Sequence, residues 1–242
     1  MTLRPIGEIP LAILAGGIAS RMHPVTERIP KALIRVAGRP FIDHQLELFR
    51  HKGFRKVIIC VGFLGDMIAD HVGDGARFGL QVQYSHDGDQ LLGTAGAIRK
   101  AAPLLGDLFS VIYGDSYLDV DYAEIASFFQ SQRRLGLMTV FRNESRWDRS
   151  NVEFKHERIL RYDKLNPTPG MAHIDYGLEF FRAAALSCLP SQSAVGLEVL
   201  YQYLLDRGEL AGYEVHNRFY EIGSSDGLEE TQEFLSDRSG LR

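Results

Sequence analysis

Short apolar runs alternate with longer helical patterns along the first 142 residues of this 242-residue chain, and that alternation narrows the fold to very few classes. Residues 11–15, 56–61, 80–84, 108–113 and 135–141 read as strands. Residues 41–51, 66–72, 94–102 and 121–134 between them read as helices. Phe41, Ile42, Leu46 and Phe49 share one side of the first helix, and Pro103 is expected to end the third. The alternation predicts an α/β fold around a largely parallel sheet.

The pattern changes after residue 142. Residues 151–154, 158–163 and 173–181 read as strands, with a turn-rich Asn166-Pro167-Thr168-Pro169-Gly170 between the last two. Residues 196–207 read as a helix, 213–222 as extended chain and 225–235 as a final helix. No Ser- or Gly-rich linker separates the parts, so 1–242 is expected to be one domain. Within it, 1–142 forms one part and 143–242 a smaller substrate-binding part that returns to the main sheet.

Composition sets bounds on function. Hydrophobic residues make up 45% and charged residues 24%, enough for a real core. The net charge of −4 offers no basic footprint for nucleic acid. No apolar stretch reaches the length of a membrane span, and residues 1–10 lack the apolar core of a signal peptide. Cys60 and Cys188 sit in apolar surroundings and read as buried free thiols, which fits a cytoplasmic location. The sequon Asn143-Glu144-Ser145 then carries no role.

The chemistry concentrates in Leu14-Ala15-Gly16-Gly17-Ile18-Ala19-Ser20-Arg21 and in Pro30-Lys31. Small residues directly after a strand let backbone N–H groups approach a phosphate closely. Arg21 and Lys31 supply fixed positive charge behind that loop. Together they predict a nucleoside triphosphate site. It is neither of two common types: no Gly-Lys-Ser/Thr closes a Walker A loop. Gly73-Asp74-Gly75 fails as a dinucleotide fingerprint, because it follows a helical pattern and Phe78 stands where the third glycine belongs.

The stretch from Leu14 to Pro40 resembles the signature of sugar-1-phosphate nucleotidylyltransferases. Leu14-Ala15-Gly16-Gly17, Arg21, Pro24, Thr26, Pro30-Lys31, Val36 and Gly38-Arg39-Pro40 fall in register with it, while Ala19 and Ser20 replace the usual Gly and Thr. Leu92-Gly93-Thr94-Ala95-Gly96-Ala97 resembles the family's second glycine loop, and Tyr113-Gly114-Asp115 its strand-end Gly-Asp motif. Asp163-Lys164 resembles a Glu-Lys pair, His173-Ile174-Asp175-Tyr176-Gly177 a strand usually reading Asn-Ala-Gly, and Glu221-Ile222-Gly223-Ser224 an Asp-Ile-Gly-Thr. In general look the chain is nearest to small heptose- or mannose-1-phosphate guanylyltransferases.

The resemblance implies a Rossmann-like three-layer nucleotidyltransferase core with a mixed, mostly parallel central sheet. It implies attack of a sugar 1-phosphate on the α-phosphorus of a nucleoside triphosphate, assisted by Mg²⁺. Arg21 and Lys31 are then the catalytic cations. Leu14, Ala15, Gly16, Gly17, Asp87, Gly93 and Thr94 hold the nucleotide, with Thr94 also expected to cap the helix it begins. Lys164, Asp175 and Glu198 hold the sugar phosphate, and Asp115 and Glu221 the metal. The partners implied are a nucleoside triphosphate and a sugar 1-phosphate, with no nucleic acid and no membrane; a homo-oligomer stays open.

Two alternatives remain at this point. A glycosyltransferase would need a metal-binding Asp-x-Asp, and Asp119-Val120-Asp121 has that form. A sensing subunit would keep the pocket without turnover, although Arg21, Lys31 and Asp115 are all present.

Overall fold

The structure is a computed structural model that describes residues 3–18, 25–190 and 194–239. The strands are β1 (Leu11–Leu14), β2 (Arg35–Val36), β3 (Arg39–Pro40), β4 (Lys56–Val61), β5 (Gln81–His86), β6 (Leu108–Tyr113), β7 (Ser116–Tyr117), β8 (Gly136–Arg142), β9 (Val152–Lys155), β10 (Arg158–Tyr162), β11 (His173–Arg182), β12 (Leu210–Val215) and β13 (Tyr220–Glu221). The α-helices are α1 (Phe41–His51), α2 (Gly65–Val72), α3 (Gly93–Leu105), α4 (Tyr122–Ser131), α5 (Leu197–Asp206) and α6 (Ser225–Ser239). Among the described residues no helix is long and apolar enough to cross a membrane.

One nine-stranded sheet organises the chain, in the order β5-β4-β1-β6-β11-β8-β12-β10-β9. The block β5-β4-β1-β6 is parallel throughout. Strand β11 then runs antiparallel to both β6 and β8, β8 and β12 are parallel, and β10 and β9 are antiparallel again. The parallel character expected from the βαβ alternation is therefore confined to the first part and the β8–β12 pair, and the whole sheet is mixed. Strand β9 also touches β11 through Val152 and His173, which curls the far end of the sheet over.

The sheet is covered on both faces, which is why its central strands are apolar without alternation. Leu11, Ala12 and Ile13 of β1 and Val57, Ile58, Ile59 and Cys60 of β4 are all buried. Phe41, Phe49, Phe54, Tyr122 and Phe129 fill the layer under α1 and α4. Ile98 and Ala101 of α3 and Leu200, Tyr201 and Leu204 of α5 fill the opposite layer.

Local chemistry sets the element ends. Asp121 caps α4 by accepting from Glu124 N at 2.9 Å, so this helix starts at Tyr122; it stops at Ser131, short of the expected 134, where Gln132 turns to extended backbone. Pro103 does not end α3; it lies inside the last turn, and the helix continues to Leu105. There the missing proline N–H forfeits only one helical bond. The terminator is Gly106, whose φ of +74° and N–H to Ala102 O close the helix. The extended stretch expected over 213–222 is two strands, β12 in the main sheet and β13 paired with β7.

The strand order reverses at β1. The chain steps outward through β4 and β5, then returns to lay β6 on the other side of β1. In open α/β sheets a crevice forms at that switch point, beyond the strands' carboxyl ends. Here those ends are Leu14 and Tyr113, paired in register.

Candidate active site

The loops following β1 and β6 touch at the switch point. Gly114 N donates to Leu14 O at 2.9 Å. A Cβ on Gly114 would lie 2.7 Å from that same carbonyl, so only glycine lets the loops approach this closely. A cavity of about 260 Å³ opens beside them. Its wall contains Leu14, Ala15, Gly16, Gly17, Lys31, Asp87, Gly93, Thr94, Tyr113 and Asp115. Every described residue expected to hold the nucleotide is thus in one place. Arg21, together with Ala19, Ser20 and Pro24, lies outside the described residues.

The second glycine loop is built with help from far along the chain. Gly93 has φ +70°, and a Cβ there would strike the Val195 carbonyl oxygen at 2.6 Å. That carbonyl accepts from Ala95 N at 2.9 Å and Gly96 N at 3.2 Å, satisfying two free donors at the start of α3. Val195 N in turn donates to Leu92 O at 2.8 Å. Thr94 does not cap its own helix: its Oγ1 accepts from Leu197 N at 2.8 Å and caps α5. Residues 194–197 therefore form a strap across the loop, which the local pattern around Thr94 does not disclose.

Asp87 closes the cavity on the β5 side. Its Oδ2 accepts from Leu92 N at 3.0 Å. Burial pushes this carboxyl above the ordinary carboxylate range, against the opposing pull of the Leu92 N–H and Lys100. Cys60 also lines the cavity, but burial, with a smaller contribution from Asp87, pushes its thiol up to about 12. It is an inert wall, not a nucleophile.

A second cavity of about 580 Å³ adjoins the first and shares Tyr113 and Asp115 with it. Lys164, Asp175 and Glu221 line it, along with Trp147, Asn151, Tyr162, Arg218 and Phe219. Glu198 lines neither cavity; it is exposed in the first turn of α5, its carboxylate folded beside its own Gly196.

Charged groups converge at the seam between the cavities. Lys31, presented by a 3₁₀ turn after Pro30, places Nζ 2.9 Å from Asp115 Oδ2. Glu221 accepts from Gly223 N and from Ser224 Oγ, the latter at 2.8 Å. A Cβ on Gly223 would strike Glu221 Oε2 and lie 3.3 Å from Asp115 Oδ2 and 3.5 Å from Lys31 Nζ. Both carboxylates and the lysine therefore face one small space. Among the described residues no cluster of three or more His, Cys, Asp or Glu side chains could hold a metal unaided. A cation bound by one or two carboxylates plus phosphate oxygens needs no such cluster.

Gln45 supports the site in a way the sequence did not announce. It is wholly buried in α1, and its Nε2 donates to Tyr113 O at 3.3 Å and Ser116 O at 2.8 Å. One amide thus clamps both sides of the turn that carries Asp115. The Asp119-Val120-Asp121 triplet is otherwise engaged: Asp119 pairs with Lys52 at 2.6 Å and with Arg238, and Asp121 caps α4. Neither carboxylate lines either cavity.

The family model described as Nucleotidyl transferase matches residues 11–151, which includes both glycine loops and Asp115. The chain belongs to the nucleotidyl transferase family. Among curated nucleotidyl transferases it is 41% identical over 111 residues to N-acetylmuramate alpha-1-phosphate uridylyltransferase of Neisseria meningitidis, covering 46% of this chain and 48% of that one. It is 26% identical over 217 residues to the catalytic subunit beta of mannose-1-phosphate guanylyltransferase from Xenopus tropicalis, covering 87% of this chain and 60% of the other. The chain thus spans between 48% and 60% of the length of these two relatives. A Bacillus anthracis chain described as a glucose-1-phosphate thymidylyltransferase, in complex with a sucrose, superposes with a TM-score of 0.83. At 21% identity, over 95% of this chain and 96% of that one, this likeness establishes the fold.

Proposed function

We propose that this chain transfers a nucleoside monophosphate from a nucleoside triphosphate to a sugar 1-phosphate, releasing pyrophosphate. The observation that carries this reading is the seam: two cavities share one wall at Tyr113 and Asp115, with Lys31 standing over it. A phosphorus bound at the end of one cavity is then reachable by an oxygen bound at the end of the other.

Both reactants are anions, so positioning and charge neutralisation are the main tasks, and no covalent enzyme intermediate is required. In this reading the loop at Leu14–Gly17 cradles the triphosphate, and Asp87, Gly93 and Thr94 border the nucleoside. Lys31 stabilises charge at the α-phosphate, and Arg21 holds the leaving pyrophosphate. Lys164 neutralises the sugar phosphate, while Asp175 accepts from sugar hydroxyls. Glu198 would reach the sugar only from outside the cavity lining.

Asp115 and Glu221 fit a hard divalent cation, because both face the space beside Gly223. Mg²⁺ held there would neutralise phosphate oxygens as charge builds on them. Cytoplasmic nucleotide-sugar synthesis is the setting in which such a product is made.

The test is pyrophosphate release, measured over four triphosphates against a panel of sugar 1-phosphates with Mg²⁺ present. Release with one pair well above the others is expected. A folded protein that releases none with any pair overturns the proposal.

A further inference from the structure

The second cavity has an unusual wall. Strand β11 bulges there: Asp175 pairs with Val140, yet Glu179, four positions later, pairs with Met138, two positions away on β8. Gly177, at φ +88°, makes the bulge possible. Four positions apart, Asp175 and Glu179 lie on the same side of the strand, and the bulge places them opposite neighbouring same-side positions of β8. Asp175 lines the cavity, and Glu179 stands behind it with no exposed surface.

Glu179 sits in the apolar layer between sheet and α5, beside Val111, Met138 and Tyr201. Its carboxyl faces the Asp175 carboxyl and the Tyr201 hydroxyl; neither oxygen accepts a well-aligned hydrogen bond, and the pull of Tyr201 toward the charged form is outweighed by burial and by Asp175. An ionised carboxylate in that position would be both desolvated and next to a second negative charge. Two carboxyl groups can bond only when one of them holds a proton. Asp175 is the better-supported anion, because Gly177 N donates to its Oδ1 at 3.1 Å and Lys164 adds positive charge. Its main chain is also fixed, with Asp175 N donating to Asn151 Oδ1 at 2.9 Å.

We propose that Glu179 is a positioning residue: as a neutral acid it donates its proton to Asp175, fixing that carboxylate toward the sugar in the second cavity. This rests on the transfer reaction proposed above and names the group that orders its acceptor site. The other titratable groups around the pair are Tyr113 on β6, Tyr162 on β10 and Tyr201 on α5, with Glu198, Asp163 and Lys164 farther out. Burial holds all three tyrosines well above their ordinary range, so they remain neutral hydroxyls around neutral pH. Burial likewise holds Glu179 well above the carboxylate range, and the Asp175 charge adds to it.

Two variants test the role with the whole chain. Glu179→Gln keeps a donor facing Asp175, whereas Glu179→Met fills the same space without one. With the best substrate pair, Glu179→Met should raise KM for the sugar 1-phosphate about tenfold, the scale of one lost hydrogen bond to a charged group, and leave KM for the triphosphate unchanged. Glu179→Gln should restore KM to within about threefold of wild type. A purely structural residue would move the melting temperature without this split. Infrared difference spectra of wild type against Glu179→Gln should show the carbonyl stretch of a protonated acid near neutral pH. An active wild type whose KM is unmoved in Glu179→Met, or whose spectrum lacks that band, overturns the role alone. A wild type silent across the whole substrate panel overturns the transfer reading and this role with it.

Discussion

Lys31 Nζ and Asp115 Oδ2 stand 2.9 Å apart at the junction of the two cavities, with 16% and 29% of their side chains exposed. The pair is sheltered enough to matter and open enough for incoming phosphate to compete for the lysine. The seam thus holds its cation in place before any substrate arrives.

Lys31→Ala should lower turnover by about 10²–10³, the typical cost of removing a preorganised charge stabiliser. The melting temperature should change little, because the residue lies on a short 3₁₀ turn outside the core layers. Pyrophosphate release and a thermal melt on the same preparation check both halves. Near-normal turnover would contradict the role given to this lysine.

Thr94→Val should destabilise the fold by about 1 kcal/mol, since it removes the oxygen that caps α5 at Leu197 N. Because the same strap satisfies the start of α3 through Val195, KM for the triphosphate should rise while KM for the sugar phosphate holds. Urea unfolding and a two-substrate kinetic grid separate these effects.

Gly223→Ala should damage activity more than stability. The new methyl would meet the mobile ends of Glu221, Asp115 and Lys31 rather than backbone, so side chains can yield at modest cost. Yielding displaces the groups proposed to face a metal and phosphates, and a misplacement of about 1 Å can cost roughly 10² in rate. A Mg²⁺ titration of turnover should show a higher half-saturating concentration in the variant.

Asp119→Asn separates a structural ion pair from a metal motif. Burial raises the Asp119 carboxyl, but its bonds to Lys52 and Arg238 outweigh burial and hold it below the usual carboxylate range. A group depressed in the folded state stabilises the fold above its unfolded value of about 3.9 and loses that contribution as pH falls through the folded value. The variant should therefore melt lower at pH 7, by on the order of 1 kcal/mol for a partly exposed network, and the gap should close below about pH 4. Turnover should be unchanged, whereas a metal ligand would lose it.

The sequence disclosed what is local. Residues 41–51, 56–61 and 108–113 carry their own periodicity and end signals, and the observed elements have those bounds. The loop at Leu14–Gly17 and Lys31 stand out as small residues and a cation at fixed spacing, Gly93 and Asp115 through the family resemblance, and all of them border one cavity. Long-range contributions stayed hidden. Gln45 looks like any polar residue on a helix until β6 places two carbonyls against it. Val195 is unremarkable as a valine, because its backbone oxygen does the bonding. Glu179 interrupts an apolar strand, but that alone does not reveal the two-residue bulge that sets it behind Asp175. Glu198 is the opposite case: an acidic residue expected at the sugar phosphate that is exposed on α5 and lines neither cavity.

The strap through Val195 also bears on how this molecule comes into being. A ribosome delivers both glycine loops early, but the carbonyl that completes the second of them emerges about a hundred residues later, in a separation the Thr94–Leu197 bond measures as 103 positions. A nascent chain released at the end of β8 would carry the fingerprint of triphosphate recognition and yet present an unfinished rim. The rim proposed to grip the first substrate is thus completed only after β9, β10 and β11, which carry Asn151, Tyr162 and Asp175 to the second cavity, have been made.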